Sequence, residues 1–290
     1  MANNIALFKK YIDLLDEVYK NAATTSVLDG DGTLVRMGAN ANEIIIPKMT
    51  MDGLADYSRN SGYVSGDVTL TNETVTFNYD RGRKFTVDNM DNEETAGVAF
   101  GKLASEFIRT KVVPELDAFR FATYAGLTGV SKATAGSLAD GAAVLSALLA
   151  AQNQMDEDEV PQENRILFIT PTNYNMIYAV DTTKSKEVLA SFSSIVKVPQ
   201  TRFYTAIELK DGTTSGEEAG GFAKATAGKD INFMVIHKPA LLQYSKHVVN
   251  KVITPEANQE SDGWLFFYRA YGLADAYENK TAGIYLHNKA

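Results

Sequence analysis

The sequence predicts an α+β fold, and three observations carry that reading. Apolar residues recur at alternate positions between residues 43 and 88, at helical spacing in two stretches between residues 93 and 155, and in strand-like runs again after residue 230. Ile5, Phe8, Ile12, Leu15 and Tyr19 lie three and four apart, which puts them on one face of a first helix ending near Asn21. That face needs a partner. Small residues, Gly and Asn dominate residues 22–42, which predicts an extended arm with little local packing. Residues 43–51 are rich in β-branched side chains and residues 52–66 form a polar tip. Beyond it Val68 and Leu70, then Val75, Phe77 and Tyr79, recur at alternate positions. The pattern predicts a long two-stranded hairpin with one apolar face and no third strand, extended by Phe85 and Val87 past a bulge or bend at Gly82.

Asp91 or Asn92 is placed to cap the next helix, with Glu93 and Glu94 in its first turn, where the helix dipole favours negative charge. Its buried stripe is Phe100, Leu103, Ala104, Phe107 and Ile108. At Pro114, which has no amide hydrogen, the helix must kink or restart before ending near Tyr124. Ser137 with Asp140 reads as a capping box ahead of Leu138, Leu145 and Leu149, giving a helix to about Met155. Residues 166–169 form a continuous apolar strand, and Thr170 with Pro171 suits the cap and first position of a short helix. Five glycines within residues 210–229 predict a long exposed loop, the most protease-sensitive segment after the arm. Residues 231–236, 248–253 and 264–271 are strands, the last apolar or aromatic on both faces and therefore buried on both.

A chain of 290 residues that is 45% hydrophobic can bury a real core. A net charge of -8 without clustered Lys and Arg argues against a dedicated nucleic-acid binder. No cysteine is present, so disulfides, thiol nucleophiles and thiolate zinc sites are excluded, and a reducing compartment fits. Residues 1–20 mix charged and apolar positions unlike a secretory signal, and no run of 18 apolar residues exists to span a membrane, so a soluble protein or assembly is expected.

The sharpest enzymatic signal is Asp29-Gly30-Asp31-Gly32-Thr33-Leu34, which resembles the first motif of haloacid-dehalogenase-type phosphatases. That resemblance implies an attacking Asp29, an acid-base Asp31 and a bound magnesium ion. Residues 24–28 are a poor strand for presenting such a pair, and no later strand ends in the acids that complete the site. A turn rich in Asp and Gly is the plainer reading, and Asp29→Ala is expected to leave folding and assembly nearly unchanged. Gly221 to Lys229 superficially imitates a phosphate-binding loop, but Ala223 and Asp230 stand where Gly and Ser or Thr are required. Asp156, Glu157, Asp158 and Glu159 are consecutive and cannot converge on one ion. His237, His247 and His287 lack ligand spacing, and the aromatics of residues 264–271 suit packing. No catalytic residue, cofactor or metal site is expected.

Three stretches carry a further likeness. They are Ile46-Pro47-Lys48-Met49 with residues 53–59 and 75–83; Phe85-Thr86-Val87-Asp88 leading through Glu93-Glu94-Thr95 into a helix; and Val235-Ile236-His237-Lys238-Pro239, residues 264–271 and Gly283-Ile284-Tyr285-Leu286-His287. Together they resemble major capsid proteins of siphoviruses, which share the Hong Kong ninety-seven type fold with encapsulins. The resemblance implies an N-terminal helix and arm at residues 1–42, an extended loop at 43–88, a peripheral domain with a long spine helix at 89–130 and 229–290, and an axial domain at 131–228. It further implies pentamers and hexamers in a virion shell assembled in the bacterial cytoplasm, non-specific contact with packaged DNA, a portal, and no membrane. Because a short arm begins at Met1, a separate scaffolding protein is expected. Val68, Leu70, Val75, Phe77, Tyr79, Arg59, Arg81, Arg83 and Lys84 are the candidate inter-subunit contacts. Lys84 lies where some relatives crosslink, but no partner asparagine is identified. An encapsulin-type cargo shell and the phosphatase remain the alternatives.

Overall fold

In the computed structural model, which describes residues 23–30, 36–37, 43–94, 98–180 and 182–290, strands gather into three sheets and a two-stranded ribbon along one long helix. The expected helix at residues 5–19 lies outside the described residues, as does Asp31. Arg36–Met37 (β1) pairs with Glu43–Met51 (β2), which in turn pairs antiparallel with Val68–Thr76 (β3) in unbroken register from Glu43 opposite Thr76 to Met51 opposite Val68. The hairpin therefore has a third strand, short as it is.

That register corrects the expected single apolar face. Leu70 and Val75 are five residues apart, an odd offset, so without a bulge they point to opposite sides of the sheet. Val75 is buried with Ile44, Leu242 and Leu273, whereas Val68 and Leu70 are 67% and 64% exposed on the other side.

Beyond Phe77 the chain leaves the hairpin. Tyr79–Asp88 (β4) pairs instead with Gly263–Ala276 (β12), the central strand between β4 and Leu241–Ile253 (β11). No bulge occurs at Gly82, which sits squarely opposite Arg269. Its lack of a side chain is used differently, since a Cβ there would stand 2.8 Å from the Tyr268 carbonyl oxygen.

Asp88, and neither Asp91 nor Asn92, caps the following helix, its Oδ1 accepting from the Met90 N–H at 2.9 Å. Asn89–Glu94 (α1) is followed by Val98–Phe107 (α2), a π turn at Ile108–Val112 and Val113–Gly126 (α3). The restart expected at Pro114 takes this form: the wider turn absorbs the missing amide donor, and Pro114 opens the new helix. Ala104, Ile108, Val112, Val113 and Leu116 face Phe266, Tyr268 and Ala270 of β12.

The largest sheet joins Ser131–Lys132 (β5), Arg165–Ile169 (β6), Ser194–Lys197 (β7), Ile231–His237 (β10) and Ile284–Asn288 (β13) in the order β5-β13-β10-β6-β7. Every residue of β6 and β10 is buried because both faces are covered. Val144, Leu148 and Met155 of Gly141–Glu157 (α4) and Ile177 of Pro171–Val180 (α5) cover Leu167 and Val235. Phe121, Tyr124 and Phe203 cover Phe168 and Met234 on the far side. A boundary at residues 228–229 runs through this sheet, since β10 and β13 sit between β5 and β6. The cap of α4 is Asp140, accepting from the Ala143 N–H at 2.8 Å, and Ser137 lies before it. Thr183–Ala190 (α6) completes the helices beside α4.

The loop expected at residues 210–229 is shorter than its glycines suggest. Ile207–Leu209 (β8) and Phe222–Lys224 (β9) pair as a ribbon, leaving residues 210–221 as its connection. No helix among the described residues is long and apolar enough to cross a membrane.

Candidate subunit interface

The nine candidate contact residues divide into three groups. Val68, Leu70 and Arg59 are exposed along the hairpin and its tip. Val75 and Tyr79 are buried inside the chain that carries them, 6% and 4% exposed, because the hairpin root packs on the body. Phe77, Arg81, Arg83 and Lys84 make contacts at the edge of that body. Phe77 stacks on Tyr271 with ring centroids 4.9 Å apart, and Arg81 Nε donates to Glu115 Oε1 at 2.8 Å. Arg83 Nη2 donates to the Glu218 carbonyl at 2.9 Å, and Lys84 lies 3.7 Å from Glu260. Burial, then the neighbouring Glu115 carboxylate, holds the Tyr79 hydroxyl well above its ordinary pKa, so it stays a neutral donor to Glu115 at 3.3 Å.

Toward the tip the hairpin changes character. Near the root its buried side is apolar, through Ile44 and Val75; farther out that side carries Lys48 and Thr71, and Lys48 reaches Glu278 at 2.7 Å. The opposite side there bears Met49 across from Leu70 and Met51 across from Val68, each more than half exposed. Leu54, Tyr57, Tyr63 and Val64 continue the apolar surface over the tip, with Tyr57 and Tyr63 rings 4.8 Å apart. Sequence reading missed these because residues 52–66 look polar on average. Together these side chains make an exposed apolar patch along the outer hairpin and its tip.

A second feature fixes the arm where it leaves the body. Asp117 of α3 is fully buried, and its carboxylate accepts from the backbone N–H and hydroxyl of both Thr24 and Thr25, at 2.6 to 3.0 Å. Arg202 adds a contact at 3.0 Å. Arg120 Nη1 donates to Thr25 Oγ1 at 2.8 Å, while Gln243 Nε2 donates to the Thr25 carbonyl and to Asp29 Oδ1. Tyr124 donates to Gln243 Oε1 at 2.6 Å, and burial raises its pKa. Asp29, the attacking residue of the phosphatase reading, is thus a structural acceptor, also 3.4 Å from Arg120. Thr25 and Leu28 belong to a 3-10 turn and its entry, so no strand presents Asp29. Among the described residues no three acidic or histidine side chains converge to hold a metal.

No protein-family model matches this chain, and no curated protein does. Solved structures do. The capsid of Myoviridae phage XM1 matches with a TM-score of 0.56 at 12% identity, over 93% of this chain and 92% of that one. A chain of Mycobacterium phage Che8 gives 0.58 at 12% identity over 86% and 85%. The virus-like particle of Pyrococcus furiosus gives 0.57 at 11% identity over 97% and 99%. The chain has the Hong Kong ninety-seven type fold. Within that capsid fold β2 and β3 form the extended loop, and α2 through α3 form the spine helix. At these identities the fold is what is shared.

Proposed function

We propose that this chain is the major coat subunit of a tailed-phage head, assembling through copies of itself into pentamers and hexamers that enclose the phage genome. The observation that carries the reading is the hairpin whose outer half, Met49, Met51, Val68 and Leu70, is apolar, exposed and remote from its own core. Two neighbours in fold are phage capsids, of phage XM1 and of cyanophage P-SCSP1u, which supports the same use here. The role needs no catalysis, and Asp29 serves the arm anchor. The working division keeps residues 1–42 as arm, 43–88 as extended loop, 89–130 and 229–290 as peripheral domain and 131–228 as axial domain, with β10 and β13 shared between the last two. In this reading Val68, Leu70 and Arg59 touch the neighbouring subunit directly, while Phe77, Arg81, Arg83 and Lys84 set the angle at which the loop leaves the body. A separate scaffolding protein, a portal and loose contact with packaged DNA are the partners, and the virion, built in the bacterial cytoplasm, is the location. The Pyrococcus particle, whose chain matches over nearly its whole length, supports a second reading as a cargo-enclosing shell.

Met51→Asp with Leu70→Asp tests the proposal, since both sites are exposed and neither supports the core. The double variant is expected to remain folded by circular dichroism and to form no closed particles by electron microscopy. Normal particles from it would refute the assigned role of the loop.

A further inference from the structure

The hairpin rests on the body through two kinds of contact. At its root Ile44 and Val75 are buried with Leu242 and Leu273, and Ile46, Tyr244 and Tyr277 pack beside them. Asn78 closes the root with a pair of hydrogen bonds to the Ala274 backbone, at 2.8 and 3.1 Å. Farther out the same side turns ionic. Ile46 stands opposite Glu73 and Lys48 opposite Thr71, so Lys48 and Glu73 share the face that carries Ile44 and Val75. On the body, Asp275 follows Leu273 on one face of β12, and Glu278 opens the 3-10 turn Glu278–Gly283 just beyond it. Lys48 Nζ reaches Glu278 Oε2 at 2.7 Å. From Met49 to Asn72 no hydrogen bond or ion pair among the described residues joins the hairpin to the body, which makes this the outermost tie.

We propose that Lys48 is the keystone of an ionic clasp with Glu73, Asp275 and Glu278 that fixes the tilt of the hairpin on its own body, and that loss of the lysine charge lets the hairpin lift about its root. The balance of charge is the first argument. One ammonium group faces three carboxylates, while Lys280, on the same turn as Glu278, lies over the Tyr277 ring at 4.8 Å. Burial raises the pKa of Asp275, and burial together with the Glu278 and Asp275 charges raises that of Glu73, so neither carboxylate is fully solvated. The hydrogen bond from Lys48 lowers the pKa of Glu278.

An exposed ion pair adds little to stability by itself. The Lys48–Glu278 pair matters for what its removal leaves, three like charges between two packed surfaces with no counter-charge among them. The root supplies the pivot, since its contacts are apolar or uncharged and do not respond to that repulsion. Leverage makes the effect large at the far end. About 23 Å of paired strand separates Ile44 from Met51, so a tilt of about 20° at the root carries Met51 through about 8 Å.

The chain has no cysteine, so Val68→Cys on the outer hairpin and Ser146→Cys on α4, both exposed, carry a single pair of spin labels. In dilute, unassembled subunit at pH 8 one narrow distance distribution is expected, and Lys48→Arg should leave it unchanged. Lys48→Met should broaden it and shift its centre by about 8 Å. Adding Glu73→Gln and Asp275→Asn to Lys48→Met removes the repulsion and should restore the narrow distribution. So should lowering the pH of Lys48→Met to 5, because both carboxylates, raised by burial, favour the protonated form in the seated hairpin and seating therefore strengthens as pH falls. A distribution unmoved by Lys48→Met would overturn the proposal. A triple variant as broad as Lys48→Met would do the same, since the lysine would then act by packing and not by charge. Should Lys48→Met fail to fold at pH 8 by circular dichroism, a folded subunit with a narrow distribution is expected at pH 5, and failure there as well would overturn the charge argument. The test needs no shell, so its outcome is separate from that of the coat reading.

Discussion

The buried carboxylate of Asp117 accepts a 2.6 Å hydrogen bond from the Thr25 hydroxyl and a 3.0 Å bond from the Thr25 N–H, tying the arm to the spine helix across 92 residues of sequence. An amide at position 117 presents two hydrogens where donors already converge. Asp117→Asn is therefore expected to cost roughly 3–5 kcal/mol, because one of the two acceptor oxygens becomes an NH2 and the donors converging on it, Thr24 with Arg202 or else Thr25, are left without an acceptor in a dry site. Urea unfolding of the free subunit measures this, and an unchanged midpoint would contradict the anchor.

Asp29 is half-exposed, and its bonds to Gln243 and Arg120 are peripheral to the same network. Asp29→Ala should lower subunit stability by about 1 kcal/mol while leaving particle formation intact. That is in keeping with the expectation that the substitution leaves folding and assembly nearly unchanged. A magnesium-dependent phosphatase activity abolished by it would reinstate the enzymatic reading.

Burial lowers the pKa of His287 and, together with Arg165, that of His237, so both are held neutral in the sheet below the ordinary value of about 6.5. The unfolded chain binds protons first as pH falls. Stability from these sites is complete above about pH 6.5 and is lost as pH drops from there through the depressed folded values. The unfolding midpoint should fall between pH 7 and 5, and His287→Asn should flatten part of that slope. A midpoint that rises on acidification would show the opposite sign.

Arg83 threads the loop at residues 212–220, where a Cβ at Gly212 would stand 2.7 Å from its guanidinium. Arg83→Ala should release that loop and raise its rate of proteolytic cleavage several-fold over that of the native subunit. Mass mapping of early fragments checks this; identical fragment patterns would mean that the arginine does not hold the loop.

The elements legible in the sequence were those buried on both faces or marked by special chemistry. Residues 166–169 read as a strand because every position is apolar, residues 231–236 because every position but Asn232 is, and Pro114 announced the break that the π turn accommodates. Which face of the hairpin is apolar was not legible. The parity of Leu70 and Val75 decides it only if no bulge intervenes, and a bulge leaves no reliable trace in that run of threonines. The placement of β10 and β13 between β5 and β6, and the partnership of Thr25 with Asp117, depend on contacts between distant residues, which local periodicity does not encode. The apolar tip was hidden by averaging, since Leu54, Tyr57 and Tyr63 are interspersed with Asp, Ser and Gly.

Electron microscopy of the unaltered chain, produced together with its head-assembly partners, tests the central claim most directly. The coat reading predicts closed icosahedral particles in which the tip around Met51 and Leu70 lies against an adjacent subunit. A chain that stays monomeric under those conditions, or particles in which that tip touches no neighbour, would contradict it.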